Sequence, residues 1–190
     1  MLRSLVGSEM CIRDRYKAYW NDGAQMIAPY DKNTIDEVNK ITSVKDVKFR
    51  GNAELIEIIG EEIDRRYLDR IKTLSLSPEA IAHHHDMKIV YTPIHGTGVK
   101  LIPASLKNFG FTNIIHVPEQ DVVSGDFPTV VSPNPEEPAA LDMAIKKAIE
   151  TDAELVMASD PDADRIGIAV RNDKGEFVLV NGNQLSLIHI

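Results

Sequence analysis

Three aspartates at alternate positions, Asp160, Asp162 and Asp164, stand in the segment Ser159-Asp160-Pro161-Asp162-Ala163-Asp164-Arg165. In an extended backbone a period of two points all three carboxylates the same way. Carboxylates held together raise one another's pKa unless a cation joins them. A hard divalent ion with oxygen ligands is the natural partner, and Mg²⁺ fits best. Pro161 fixes its own φ and reduces the entropy lost when the ligands are gathered. An EF-hand loop also begins D-x-D-x-D, but it needs Gly at its sixth position and Glu at its twelfth. Those positions hold Arg165 and Arg171, so a calcium loop is excluded. Two other uses of the segment stay open, a solvated turn and a phosphoryl-transfer site with a nucleophilic aspartate at a strand end.

The elements that must position these carboxylates follow from the flanking pattern. The apolar runs Leu155–Ala158 and Ile166–Val170 read as buried strands, which makes the acidic segment a loop at the end of a sheet. Upstream, Ala139–Thr151 carries Leu141, Ala144, Ile145 and Ile149 on one helical face. Met87–Tyr91 reads as a strand, Val99–Phe109 as a helix stopped by Gly110, and Asn113–Val117 as a second strand. Strands alternating with helices predict an α/β fold, three layers around a mixed, largely parallel sheet. Glu119–Glu136 reads as a long ordered loop, and Asn134-Pro135-Glu136 within it as a cap and turn, with ligand contact as the alternative. Tyr16–Trp20 and Gln25–Ile27 form a hairpin around Asp22-Gly23, and a helix follows over Pro29–Ile41. A longer helix is expected over Ala53–Leu74, from Leu55, Ile59, Ile63, Tyr67 and Ile71 at helical spacing.

Other residues invite a chemical reading. His95 stands in Thr92-Pro93-Ile94-His95-Gly96-Thr97-Gly98, just after the Met87–Tyr91 strand. It and the acidic loop would both lie at carboxyl ends of parallel strands, where such folds place their ligands. His95 is therefore a candidate substrate contact, with a purely structural histidine as the alternative. The glycines do not make a dinucleotide fingerprint, because the third falls on Leu101, and there is no GxxxxGK[ST]. His83-His84-His85-Asp86 reads as a solvated turn, since adjacent histidines at a helix end point in different directions.

Ser-Asp-Pro-Asp-Ala-Asp-Arg closely resembles the metal-binding loop of the alpha-D-phosphohexomutases, the phosphoglucomutase and phosphomannomutase family. Further stretches agree in order: Tyr16–Trp20 with Asp22–Gln25, Thr92–Gly98, Phe127–Val130 with Pro133–Glu137, and Asn181–Gln184. The resemblance implies Mg²⁺ bound by Asp160, Asp162 and Asp164, and Arg165 at the reaction centre against a phosphate oxygen, with a salt bridge to its own loop as the alternative for Arg165. It gives Lys17 a part in proton transfer, where the local sequence alone reads as a solvated strand lysine. The implied reaction moves a phosphoryl group between C1 and C6 of a hexose phosphate through an active-site phosphoserine and a hexose 1,6-bisphosphate. The family's Ser-His-Asn-Pro is not found before Tyr16, where Glu9–Arg15 stand. The chain is accordingly read as a fragment, inactive alone. Residues 1–15 and 185–190 match no family pattern and read as foreign; 16–52 correspond to the end of the first domain, 53–170 to the second with its linker helix, and 171–184 to the start of the third.

Composition sets the outer bounds. The 190 residues are 43% hydrophobic and 26% charged, as in soluble globular proteins. A net charge of −8 without a basic cluster argues against nucleic acid and anionic membranes as partners. No apolar run approaches the ~18 residues of a membrane span. A single cysteine, Cys11, excludes an internal disulfide and suits the cytoplasm. The residues carry no signal for an oligomeric state. Besides the mutase reading, an aspartyl-phosphate hydrolase or transferase and a non-catalytic cation-binding fragment remain open.

Overall fold

The computed structural model describes residues 19–47 and 49–188. They fall into two compact units that divide at Ile59/Gly60.

In the unit up to Ile59 the described part of the expected hairpin holds one bridge, Tyr19 with Gln25. It closes over a turn in which Gly23 takes φ +84° and donates to the Trp20 carbonyl (3.0 Å). Helix α1 (Tyr30–Val38) follows, with Tyr30 edge-on to Trp20 at 5.3 Å between ring centroids. Single 3₁₀ turns occupy Val44–Asp46 and Ala53–Leu55, each started by a side-chain cap, Ser43 or Asn52. Residues 16–18, with Lys17 and the rest of the expected first strand, lie outside the described residues.

From Gly60 the chain builds one layered body. The helix expected from Ala53 begins only at Gly60, as α2 (Gly60–Lys72). Ile56 is extended (φ −105°, ψ 112°) and Gly60, the first residue of α2, takes φ +49°, neither of which fits the interior of a helix. Leu55 and Ile59, whose four-residue spacing imitates a helical face, are 84% and 62% exposed. A short α3 (Pro78–His83) leads to β1 (Lys88–Thr92), α4 (Gly98–Phe109), β2 (Asn113–His116) and a turn of helix, α5 (Pro118–Asp121). Then come α6 (Pro138–Thr151), β3 (Leu155–Ser159), β4 (Ile166–Arg171), β5 (Phe177–Val180) and α7 (Gly182–Ile188).

The strands form one mixed sheet in the order β2-β1-β3-β4-β5. β1 pairs parallel with β2 (Tyr91 opposite His116) and with β3 (Tyr91 opposite Met157). β4 alone runs against the other four, antiparallel to both β3 and β5. One sheet face is the core: Val90, Val156, Ala158 and Ala169 pack against Ala140, Leu141, Ala144 and Ala148 of α6. Three alanines on that helix let its backbone come close to the sheet. Tyr91 points to the opposite face, where α4 starts directly over it; a Cβ on Gly98 would run into the Tyr91 hydroxyl and Ser159 Oγ. The result is the three-layer α/β arrangement.

The connections decide where a site can form. From β1 the chain crosses to β2 on one side, then returns through α6 to β3 on the other side of β1. The sheet therefore has a switch point between the carboxyl ends of β1 and β3, where open α/β folds leave a crevice for ligands. The β1–α4 loop, with His95, and the β3–β4 loop, with the three aspartates, both start there.

Candidate metal centre

The β3–β4 loop is not extended, and its period of two is not what gathers the carboxylates. After Asp160 the chain turns: Ala163 donates from its N–H to the Asp160 carbonyl (3.0 Å) and adopts φ +61°. The turn folds the segment back so that one oxygen from each of Asp160, Asp162 and Asp164 lies within 4.8 Å of the others. Asp160 closes the motif, accepting the Arg165 N–H at Oδ1 (3.0 Å). The Arg165 guanidinium stands 3.8 Å from both Asp160 Oδ2 and Asp164 Oδ1.

The three carboxylates are unequal. Asp162 and Asp164 are exposed, whereas Asp160 is 6% exposed. Burial, a hydrogen bond to the Asp164 carboxyl, and the charges of Asp162 and Asp164 push Asp160 up to about 7 from an ordinary 3.8. The Arg165 N–H pulls the other way and does not cancel them. A buried acid so disfavoured as an anion fits a site completed by a cation. The donors are hard oxygens, as Mg²⁺ requires, and ligands around an ion with bonds of about 2.1 Å stand about 3–4 Å apart.

The loop is clasped by its neighbour across the switch point. Thr97 donates from both its N–H (2.9 Å) and its Oγ1 (3.1 Å) to the Pro161 carbonyl. Gly96 lies so close that a Cβ there would come within 2.5 Å of Pro161 Cα. Below the loop, Tyr91 and Ser159 share a buried hydrogen bond of 2.8 Å, and burial pushes the tyrosine up to about 12. They line a cleft of ≈ 270 Å³ together with Asp164 and Arg165.

Of the residues singled out in the sequence, Asp160, Asp162, Asp164 and Arg165 come together. Lys17 lies outside the described residues. His95 is at the switch point but 1% exposed, with its ring committed inside the protein: Nδ1 to the Val122 carbonyl and Nε2 to Thr129 Oγ1, both at 2.8 Å. Its neighbours Gly96 and Thr97, rather than its ring, make the contacts to the acidic loop just described. His83, His84 and His85 are exposed, and His85 Nδ1 lies 3.1 Å from the Ala82 carbonyl one turn back. Asn134-Pro135-Glu136 is a cap and turn, as expected, with Asn134 Oδ1 accepting the Glu136 N–H (3.1 Å). Glu136 adds a contact the sequence does not announce, accepting the Gly182 N–H (3.2 Å) at the start of α7. The contacts of Thr97, Gln120 and Thr129 also escape a reading of the sequence, although Thr97 and Thr129 stand in stretches that resemble the family. Each contact joins residues 9 to 64 positions apart, and no local pattern announces such a pairing.

Residues 65–175 match the family model of phosphoglucomutase/phosphomannomutase, alpha/beta/alpha domain II. The chain belongs to that family. Among curated relatives, it is 34% identical over 173 residues to a probable phosphomannomutase of Haemophilus influenzae, covering 88% of this chain and 34% of that protein. It is 34% identical to a phosphoglucomutase of Staphylococcus haemolyticus (92% of this chain, 32% of that protein) and 32% identical to human phosphopentomutase (91% and 29%). The chain thus spans about a third of the length of these relatives. Among the described residues, no helix is long and apolar enough to cross a membrane.

Proposed function

We propose that this chain carries the metal-binding domain of a Mg²⁺-dependent phosphosugar mutase, an intramolecular phosphotransferase of the cytoplasm, together with the end of the domain before it and the start of the one after it. The observation that carries the reading is the buried Asp160, gathered with two further carboxylates at the switch point of the sheet. Asp160, Asp162 and Asp164 hold the ion. When bound, Mg²⁺ neutralises charge on phosphoryl oxygens as it develops in transfer. Arg165 follows the third aspartate directly, and its planar fork suits a phosphate oxygen beside the metal. Its backbone N–H holds Asp160 Oδ1 and so fixes the deepest ligand. Lys17 is assigned to proton transfer on the family resemblance alone.

The substrates of the whole enzyme are then a hexose phosphate and its 1,6-bisphosphate, exchanged between C1 and C6. Relatives named for mannose, glucose and pentose phosphates match this segment almost equally, at 34%, 34% and 32% identity. Sugar choice is therefore assigned to regions outside it. No serine of the 190 residues is followed by His-Asn-Pro, so the chain alone lacks the covalent carrier that holds the phosphate while the sugar reorients. Loss of such a group typically costs several orders of magnitude in rate.

The test is a coupled assay of the purified chain with glucose 1-phosphate, glucose 1,6-bisphosphate and Mg²⁺, followed by analysis of the protein for phosphate. The expected result is no turnover above a blank and no phosphate on the loop. Hydroxylamine-labile phosphate lost on changing one aspartate to Asn would replace this reading with an aspartyl-phosphate enzyme.

A further inference from the structure

The loop that clasps the acidic segment is itself held in an improbable conformation. Ile94 and His95 both take positive φ, +46° and +63°. Left-handed backbone at a residue with a Cβ costs about 1–2 kcal/mol, and here two occur in succession, one of them β-branched. Such a turn persists only if its surroundings dictate it.

A chain of side-chain hydrogen bonds, buried at Thr92, His95 and Gln120, does so. The Ile94 N–H donates to Thr92 Oγ1 (3.1 Å), and the Thr92 hydroxyl donates to Gln120 Oε1 (2.7 Å). Gln120 Nε2 donates onward to Thr129 Oγ1 (3.2 Å). Thr129 lies 2.8 Å from His95 Nε2, and His95 Nδ1 lies 2.8 Å from the Val122 carbonyl. A carbonyl can only accept, so Nδ1 carries the proton; in neutral His95, Nε2 then accepts the Thr129 hydroxyl proton. Every hydroxyl and amide in the chain thus has one direction, from the Ile94 N–H round to His95 Nε2. Backbone bonds reinforce it, from the His95 N–H to the Gln120 carbonyl (2.9 Å) and from the Ser124 N–H to the His95 carbonyl (3.1 Å). Thr92, His95 and Gln120 are each no more than 1% exposed. At that depth an unmade hydrogen bond costs about 1–3 kcal/mol, so the pattern is strongly specified.

What this network fixes is the next two residues. Gly96 packs on Pro161 Cα, and Thr97 donates twice to the Pro161 carbonyl, between the first two aspartates. We infer that His95, Gln120 and Thr129 are positioning residues for the metal loop, setting the place of Pro161 and with it the spacing of the three carboxylates. This inference rests on the reading of that loop as a cation site and gives His95 a part other than substrate contact.

Thr129 offers the cleanest test. Thr129→Ala and Thr129→Ser both remove the methyl group, and only Ala also removes the hydroxyl. Thr129 is only half-buried, so both variants should fold. On the full chain, Mg²⁺ affinity is measured by titration calorimetry, and amide exchange is followed at Thr97 and Arg165, whose N–H groups bond the acidic loop. For Thr129→Ala the expected result is affinity about tenfold weaker and exchange at both amides about tenfold faster, with β1 and β3 amides as in the parent. Thr129→Ser should restore both. Parent-like exchange at Thr97 and Arg165 in Thr129→Ala would overturn the inference, as would equal effects of Ala and Ser. If the parent binds no Mg²⁺ but Ala alone loosens these amides, the positioning role stands and the cation reading falls.

Discussion

Replacing Asp160 with Asn is expected to raise the melting temperature of the metal-free protein at pH 8 and to abolish its response to Mg²⁺. Without a cation Asp160 titrates at about 7 in the folded chain, against an ordinary 3.8, mainly because it is buried. The folded state therefore binds the proton more tightly than the unfolded state does. By linkage, the stability this group contributes is fully present below about pH 4 and is lost as pH rises through about 7. At pH 8 the parent holds a buried anion beside two others, and the Asp160→Asn variant holds a neutral amide in its place. Asn keeps an oxygen to accept the Arg165 N–H, so the turn should survive. The gain should be on the order of 2 kcal/mol, several degrees in a domain of this size. It should shrink toward pH 4, where Asp160 is already neutral. Added Mg²⁺ should raise the parent's melting temperature at pH 8 and leave the variant unmoved. Thermal melts at both pH values with and without Mg²⁺ check this; a variant less stable than the parent at pH 8 would show that Asp160 is not under electrostatic strain.

The second large effect lies away from the charges. Gly167→Ala should destabilise the chain by about 3 kcal/mol, lowering its melting temperature by roughly 10 °C. A Cβ at Gly167 would overlap the Pro135 carbonyl group, and backbone on both sides leaves nothing to swing aside. The Asn134-Pro135-Glu136 turn would have to lift from β4, and Glu136 would lose its hold on the Gly182 N–H. Gly51→Ala, with nothing within 4 Å, serves as control and should melt with the parent. Equal melting of the two variants would mean that the turn is not seated on β4.

What can be read from the residues, and what cannot, divides by the range of the interactions. The strands on either side of the acidic loop are short apolar runs, α6 shows an apolar helical face, although Ile149 of the expected face is 61% exposed, and Gly110 ends α4 with φ +127°. Each is a local signal, and each element stands within a residue or two of its expected place. The start of α2 differs from expectation because Leu55 and Ile59 fit a helical period that extended backbone at Ile56 interrupts. Composition marks the acidic loop, yet its geometry depends on a left-handed Ala163, which no sequence rule favours. His95 falls at the expected end of the sheet, but the destination of its ring is set by Val122 and Thr129, 27 and 34 residues away. Long-range polar closure of that kind leaves no periodic trace.

Whether the three aspartates form a cation site is decided by calorimetric titration of the chain with Mg²⁺ at pH 8. The parent should bind one ion with a Kd of roughly 1 mM, as for sites that supply few protein ligands and keep several waters. The variant in which Asp160, Asp162 and Asp164 are all changed to Asn should give only the heat of dilution. Equal binding by the two proteins would mean that the acidic loop is not a cation site.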